Sequence, residues 1–245
     1  MQHTQPSTEF LCGRNAVQEA LRAGRTANTL LVARGAERVR HLVAMAKERG
    51  AVVKEVPSSR LDAMFPGLPH QGVALSLAPK EYVPLETLLA RAQEKGEAPF
   101  LLLCDGLSDP HNLGALLRTA DACGVHGVVI PERGSVGLGA TVGKAAAGAM
   151  EYVPVARVKN LAAAIDTLKA HGVWIYCADM DGQDFRETDF SGPAAIVVGA
   201  EGSGVSRLVR EKSDFVVSIP MKGQINSLNA SVAGALLLFE AARGR

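Results

Sequence analysis

Six short apolar runs, each bounded by turn residues, constrain this chain more than any other feature. The first, "FLLLCDG" at 100–106, is apolar at almost every position and shows no polar alternation. The others are "GVVIP" (127–131), "VPVARV" (153–158), "GVWIYCAD" (172–179), "AAIVVGA" (194–200) and "DFVVSIP" (214–220). A strand with one wet face alternates polar and apolar residues, whereas a strand covered on both faces does not. Helical patterns separate most of these runs, so they specify an α/β fold with a mainly parallel sheet. Composition agrees: residues are 47% hydrophobic but only 4% aromatic, so Leu, Val, Ile and Ala must build the core. That disfavours an aromatic-rich β-sandwich.

The first part of the chain is organised differently. "GRNAVQEALRAG" predicts a helix with Val17 and Leu21 one turn apart, "TLLVAR" a strand over 29–34, and "AERVRHLVAMAKERG" an amphipathic helix with Val39, Leu42, Val43 and Ala46 inward. "AVVKEV", "SSRLDAMF" and "GVALSLA" add a strand, a short helix and a strand. The prolines and mixed charges of "PKEYVP" (79–84) mark a linker. The expected organisation is therefore a small α/β domain over 1–78, a linker and helix over 79–98, and a larger α/β domain over 99–245. Residues 1–78 hold ten Lys/Arg against six Asp/Glu, and the remainder sixteen against nineteen. A basic surplus on the small domain is what contact with a polyanion requires, and equally what scattered solvated charge gives.

No apolar run approaches the roughly 18 residues of a membrane span. "MQHTQPSTEF" lacks the basic and apolar regions of a secretory signal, and Cys12, Cys104, Cys123 and Cys177 form no paired motif. The expectation is a cytoplasmic protein with reduced thiols, no metal and no membrane partner.

Glycine-rich turns in an α/β protein suggest nucleotides, and two stretches invite that test. "GLGATVGKA" (137–145) would need glycine at Leu138 and a hydroxyl at Ala145 to be a P-loop. "GAEGSGVSR" (199–207) would need glycine at Arg207 to carry the dinucleotide fingerprint. Both fail, which weakens a nicotinamide oxidoreductase reading.

Three other stretches carry polar residues where an apolar core would not supply them. In "DGLSDPHNLGALLRTADACG" (105–124), Asp109 can cap a helix opened by Pro110 and closed at Gly124. Leu113, Leu117 and Ala120 share one face of that helix, while Arg118 is planted in its middle. "IVVGAEGSG" runs a buried strand into a turn holding Glu201, at the strand end where open α/β sheets bind ligands. "SIPMKGQINSLNASVAGAL" passes from strand to last helix through Asn226, Ser227 and Asn229, each able to cap that helix. That helix sets Leu228, Val232, Ala235 and Phe239 on one stripe, with small residues permitting close packing.

Together these stretches resemble the signature motifs of the SpoU/TrmH family. These are S-adenosylmethionine-dependent RNA ribose 2′-O-methyltransferases with a trefoil-knotted catalytic domain. The matches are "DPHNLGALLRTADACGVHGVVIP", "VVGAEGSGVS" and "IPMKGQINSLNASVA". "GRNAVQEAL" and "HQGVAL" resemble the ribosomal-protein-like substrate-binding domain of the RlmB-like branch, which methylates a guanosine ribose of 23S ribosomal RNA. One departure is Gly139, where many relatives carry asparagine.

The resemblance implies catalytic roles for Asn112, Arg118, Glu201, Ser227 and Asn229, and a cofactor slot at Gly199, Ile219, Met221 and Leu228. It implies a homodimer with the site near its interface. A guanidinium with pKa above about 12 makes a poor free base. Arg118 is better suited to gripping a phosphate beside the reacting ribose. On the small domain, Arg14, Arg34 and Arg38 are expected to meet RNA phosphates, and His70 and Gln71 to meet bases. Transfer RNA as substrate, and a non-catalytic RNA-binding protein, remain alternatives at this point.

Overall fold

The structure, a computed structural model, describes residues 9–224 and 227–245; Asn226 lies outside them. The chain forms two compact units. One comprises residues up to 81 together with 138–152, and the other residues 82–137 and 153–245. Segment 138–152 thus packs with the N-terminal unit, although it lies within the larger sequence domain.

The first unit runs β1 (Glu9–Cys12), α1 (Arg14–Arg22), β2 (Ala27–Ala33), α2 (Arg40–Glu48), β3 (Val52–Val56), α3 (Ser58–Met64) and β4 (Val73–Leu77). Its sheet has the order β1-β4-β2-β3, with only β2 and β3 parallel. Val17, Leu21, Leu42 and Ala46 are buried as the helical spacing predicts. Helix α2 begins later than that spacing suggests, because Arg38 adopts φ +58° and breaks the turn before it.

The second unit contains α4 (Leu85–Lys95), β5 (Phe100–Asp105), α5 (Pro110–Ala122) and β6 (Gly127–Pro131). After α6 (Ala140–Ala145), which belongs to the first unit, come β7 (Val155–Val158), α7 (Leu161–Ala170), β8 (Trp174–Asp184), β9 (Ala194–Gly199), α8 (Arg207–Lys212), β10 (Phe215–Ser218) and α9 (Ala230–Ala242). The sheet order is β10-β8-β9-β5-β6-β7, and every neighbouring pair is parallel. All six apolar runs are strands. Leu101 and Leu103 face a core shared with Leu88, Ile165 and Leu168, while Leu102 between them is equally buried. Both faces of the sheet are covered, which is why its strands show no alternation.

Helix α5 starts as its sequence dictates: Asp109 Oδ1 accepts from His111 N at 2.9 Å, Pro110 occupies the first turn, and Gly124 takes φ +71° beyond the end. Helix α9 leaves the edge of the sheet after β10 and returns to pack on β9 and α5. The approach to α5 is close, since a Cβ on Gly234 would lie 2.5 Å from Leu116 Cδ2. The stripe Val232–Phe239 faces outward, with Val232 48% and Phe239 58% exposed, and Gly234, Leu237, Leu238 and Ala241 are buried instead. No helix among the described residues is long and apolar enough to cross a membrane.

Candidate active site

Strand β9 ends at Gly199, and the chain folds back at once. Ala200 and Gly204 exchange two backbone hydrogen bonds, Ala200 N to Gly204 O at 3.1 Å and Gly204 N to Ala200 O at 2.9 Å. Gly202 and Gly204 take φ +83° and +64°, the left-handed region that glycine enters without penalty. Glu201 rides on this turn. The fold-back also explains Gly199, because a Cβ there would sit 2.1 Å from the backbone carbon of Gly204. At the neighbouring end of β5, Asp105 Oδ2 accepts from Ser206 N at 2.7 Å and anchors the exit of the turn.

Glu201 is fixed by two amides. Asn112, in the first turn of α5 and only 4% exposed, donates from Nδ2 to Glu201 Oε1 at 3.0 Å. Asn229 donates from Nδ2 to the same Oε1 and to Asn112 Oδ1, the latter at 2.9 Å. Asn229 Oδ1 meanwhile caps α9, accepting from Ser231 N at 2.9 Å and Val232 N at 3.3 Å. Capping and site building are therefore performed by opposite ends of one side chain. Three residues from three separate motifs form a closed triangle of hydrogen bonds.

Beside this triangle lies a cavity of about 590 Å³ at the carboxyl ends of β8, β9 and β10. Gly199, Ile219, Met221, Leu228, Ser227, Glu201 and Asn229 all line it, so the expected slot residues and most expected catalytic residues come together. Its volume falls within the roughly 300–1,000 Å³ typical of small-molecule sites. Its walls are backbone, glycine and aliphatic side chains, with a few convergent polar groups. Cys177 lies on β8 and Cys104 on β5, the neighbour of β9. Burial, with Asp105 adding to it, pushes Cys104 up to about 12, and burial, with Asp179 adding to it, pushes Cys177 up to about 11. Both are protonated at neutral pH and unsuited to nucleophilic attack.

Arg118 is exposed on α5 and does not line the cavity. Among the described residues no ion pair engages it. Asp179, on the cavity wall, carries no motif and was not predicted. Its only signal was a carboxylate closing the apolar run "GVWIYCAD", although β8 itself continues to Asp184.

The five expected RNA contacts belong to the first unit. Arg34 and Arg38 are exposed, and Arg38 lines a hollow with Arg40 and His41. Gln71, at φ +53°, accepts from Arg14 N at 2.9 Å and so caps α1. His70 Nδ1 accepts from Gly72 N at 3.0 Å, and its Nε2 lies 3.0 Å from Asp62 Oδ1. Both ring nitrogens of His70 thus hold the loop before β4.

A parallel α/β sheet with a ligand-sized cavity at its strand ends defines a ligand-binding α/β domain, here accompanied by a small α/β unit. Residues 99–239 match the SpoU rRNA Methylase family, and residues 10–83 match the RNA 2′-O ribose methyltransferase substrate-binding family. YacO of Bacillus subtilis strain 168, assigned by name to the TrmH family of tRNA/rRNA methyltransferases, is 45% identical across 97% of this chain and 96% of its own. A similarly named Staphylococcus haemolyticus protein is 47% identical across 96% and 95%. Among solved structures, the AdoMet-bound rRNA methyltransferase of Sinorhizobium meliloti superposes with TM-score 0.81 at 27% identity, covering 97% of this chain and 87% of that one. AviRb of Streptomyces viridochromogenes, a SpoU methyltransferase, shares the fold with TM-score 0.83 at 24% identity, covering 96% and 89%. This chain belongs to the SpoU/TrmH family of RNA methyltransferases.

Proposed function

We propose that this protein transfers a methyl group from S-adenosylmethionine to a ribose 2′-hydroxyl of RNA, at a guanosine of 23S ribosomal RNA or its large-subunit precursor. The observation that carries the reading is the Asn112–Glu201–Asn229 triangle beside the cavity, two of whose members, Glu201 and Asn229, line it. It locks the starts of α5 and α9 and the turn after β9 into one rigid edge, which positioning of two reactants requires. The cavity suits the cofactor: backbone groups around Gly199 and Ile219 can pair with a base edge, and Leu228, Val198 and Val217 offer apolar surface. A slot without basic side chains suits a ligand with no phosphate.

S-adenosylmethionine, when bound, supplies a methyl carbon activated by a sulfonium. The protein then has to bring the ribose oxygen in line with that carbon and stabilise the oxygen as its proton passes to water. Arg118 grips the adjoining phosphate and the developing negative charge, a bidentate task for a guanidinium. Asn112 and Asn229 hold Glu201, and Ser227 orients the ribose or cofactor at the rim. Arg14, Arg34 and Arg38 supply sequence-blind phosphate contacts. His70 and Gln71 contribute by shaping the loop before β4, with base contact left to the free end of Gln71. The protein is cytoplasmic and works as a homodimer, and the return of α9 from the sheet edge is part of a trefoil knot.

Transfer RNA is the second substrate reading, favoured by the naming of the Bacillus and Staphylococcus relatives for both RNAs. Transfer of labelled methyl to total RNA, followed by mapping of the 2′-O-methylated nucleotide, decides between them. Label in 23S RNA at a guanosine ribose supports the reading, and label in transfer RNA, on a base, or nowhere removes it.

A further inference from the structure

Among the described residues, the cavity lining holds two ionisable side chains, Asp179 and Glu201, and both are acidic. Glu201 is hydrogen-bonded by two neutral amides, which satisfy its oxygen without cancelling its charge. Asp179 has a cationic neighbour outside the lining: Arg210 Nε of α8 lies 2.9 Å from Asp179 Oδ2. That guanidinium is shared, with its Nη2 3.9 Å from Asp181 Oδ2. The buried Arg210 Nε finds no acceptor in hydrogen-bonding geometry, so the pairing is one of charge and leaves the acceptor capacity of Asp179 open. Lys222, next to Met221, is exposed and outside the lining. Two carboxylates, Asp179 and Asp181, thus share one guanidinium, and Glu201 adds a second acidic group to the cavity wall.

Asp179 reaches the cavity through a break in strand register. Along β8 and β10, Cys177 pairs with Val216 but Gln183 with Val217, so residues 178–182 form an excursion opposite a single step of the partner strand. Gly182 is where the excursion rejoins, its backbone so near β10 that a Cβ would lie 2.5 Å from the Val217 carbonyl carbon. Such bulges re-aim side chains at the ends of strands. Here the excursion turns Ala178, Asp179 and Met180 onto the cavity wall.

We infer that Asp179 is a specificity-determining residue that makes the cavity hold a cationic methyl donor more tightly than its neutral-sulfur product. The inference rests on the methyltransferase reading above. When the ribose oxygen bonds to the methyl carbon, the carbon–sulfur bond breaks, its electron pair returns to sulfur, and the hydroxyl proton leaves to water. The sulfonium becomes a thioether, and the ligand loses one positive charge with little change of shape. Apolar walls and backbone bonds cannot sense that change; a carboxylate in a sheltered cavity can. Product is then released more readily than donor.

The test is isothermal titration calorimetry of the full chain with S-adenosylmethionine and S-adenosylhomocysteine, on wild type, Asp179→Asn and Arg210→Gln. Thermal unfolding of each protein alone establishes that the variants fold. Asp179→Asn should cut the preference for S-adenosylmethionine about tenfold, equivalent to about 1.4 kcal/mol, with homocysteine-form affinity changed less than about twofold. Arg210→Gln should raise the preference, because it uncovers the Asp179 charge. An unchanged preference in both variants, or a fall in both, would mean that the pair merely props the excursion and would overturn the inference. Wild-type protein that binds neither ligand would instead remove the methyl-donor reading, and this inference with it.

Discussion

Asn229 Nδ2 donates to Asn112 Oδ1 at 2.9 Å across 117 residues of sequence, tying the cap of α9 to the first turn of α5. The amide of each residue is oriented by what the other end must do. Because Asn229 Oδ1 is committed to the α9 backbone, its nitrogen must face Glu201 and Asn112. The geometry of the site is thereby coupled to the stability of the last helix.

Asn229→Ala should expose that coupling. It removes a helix cap worth about 1 kcal/mol and strands the buried Asn112 carbonyl at about 1–3 kcal/mol. The melting temperature should fall by about 2–4 °C per kcal/mol for a chain of this size. Asn229→Asp keeps the cap but sets a second carboxylate against Glu201. Like charge raises a folded-state carboxylate pKa above its unfolded value, so the deficit of this variant relative to wild type should be smallest in acid and grow as pH rises. Differential scanning calorimetry of wild type and both variants at pH 4.5 and 7.5 checks this, and an Asp variant whose deficit against wild type grows towards acid would contradict the geometry.

Gly199→Ala tests the fold-back after β9. A methyl at 2.1 Å from the Gly204 carbon cannot be accommodated by a side-chain rotation, since the obstacle is backbone. A loss of about 2 kcal/mol or more is expected, at the upper end of overpacking costs, together with loss of cofactor binding. Gly139→Ala is the control, because nothing lies within 4 Å of its added Cβ and its φ of −171° is ordinary extended backbone. Its urea midpoint should stay close to wild type.

Arg118→Lys separates binding from transfer. The residue lies outside the cavity lining, so S-adenosylmethionine affinity should stay within about twofold of wild type. Methyl transfer should fall about a hundredfold, the scale for removing one donor aimed at developing charge. Near-normal turnover would end the proposed role.

Much of this fold could be read locally. The six buried strands announce themselves because double-sided burial leaves an apolar run, and α5 because Asp109, Pro110 and Gly124 each act within one turn. The triangle was legible only as three motifs. That Asn112 and Asn229 share one oxygen of Glu201 depends on contacts across the whole domain. The stripe of α9 that carries Val232 and Phe239 could be read, but not that it faces outward, since the helix is apolar all round and its period selects no side. Asp179 was hidden for a different reason: a register break between β8 and β10 leaves no local signature.

The outward face of α9 bears on how copies of this chain associate. Val232, Leu236 and Phe239 are all exposed on one helix, an apolar surface that a folded protein rarely leaves to water. Sedimentation at micromolar concentration should report a dimer for wild type, and Phe239→Glu should shift it towards monomer while leaving the melting of the protomer intact. A wild-type monomer, or a dimer indifferent to Phe239→Glu, would exclude this face as the interface.

His126 gives the fold a pH dependence whose sign can be worked out. The ring is buried, its Nδ1 accepts from Phe100 N at 3.0 Å, and its Nε2 lies 3.0 Å from Glu97 Oε2. Accepting at Nδ1 requires the neutral form with the proton on Nε2, donated to Glu97. Burial lowers the pKa from its ordinary value near 6.5, outweighing the opposing hydrogen bond to Glu97, with Lys95 and Arg91 lowering it further. The unfolded chain therefore binds a proton that the folded chain refuses, and stability must fall as pH drops below the ordinary histidine range. The contribution is fully present above that range, and its slope cannot exceed about 1.4 kcal/mol per pH unit for one proton. Urea unfolding of wild type and His126→Gln at pH 7.5 and 5.5 isolates it from the other histidines. Wild type should lose more stability between the two pH values than the variant does, and equal losses would show that His126 takes up its proton as readily folded as unfolded.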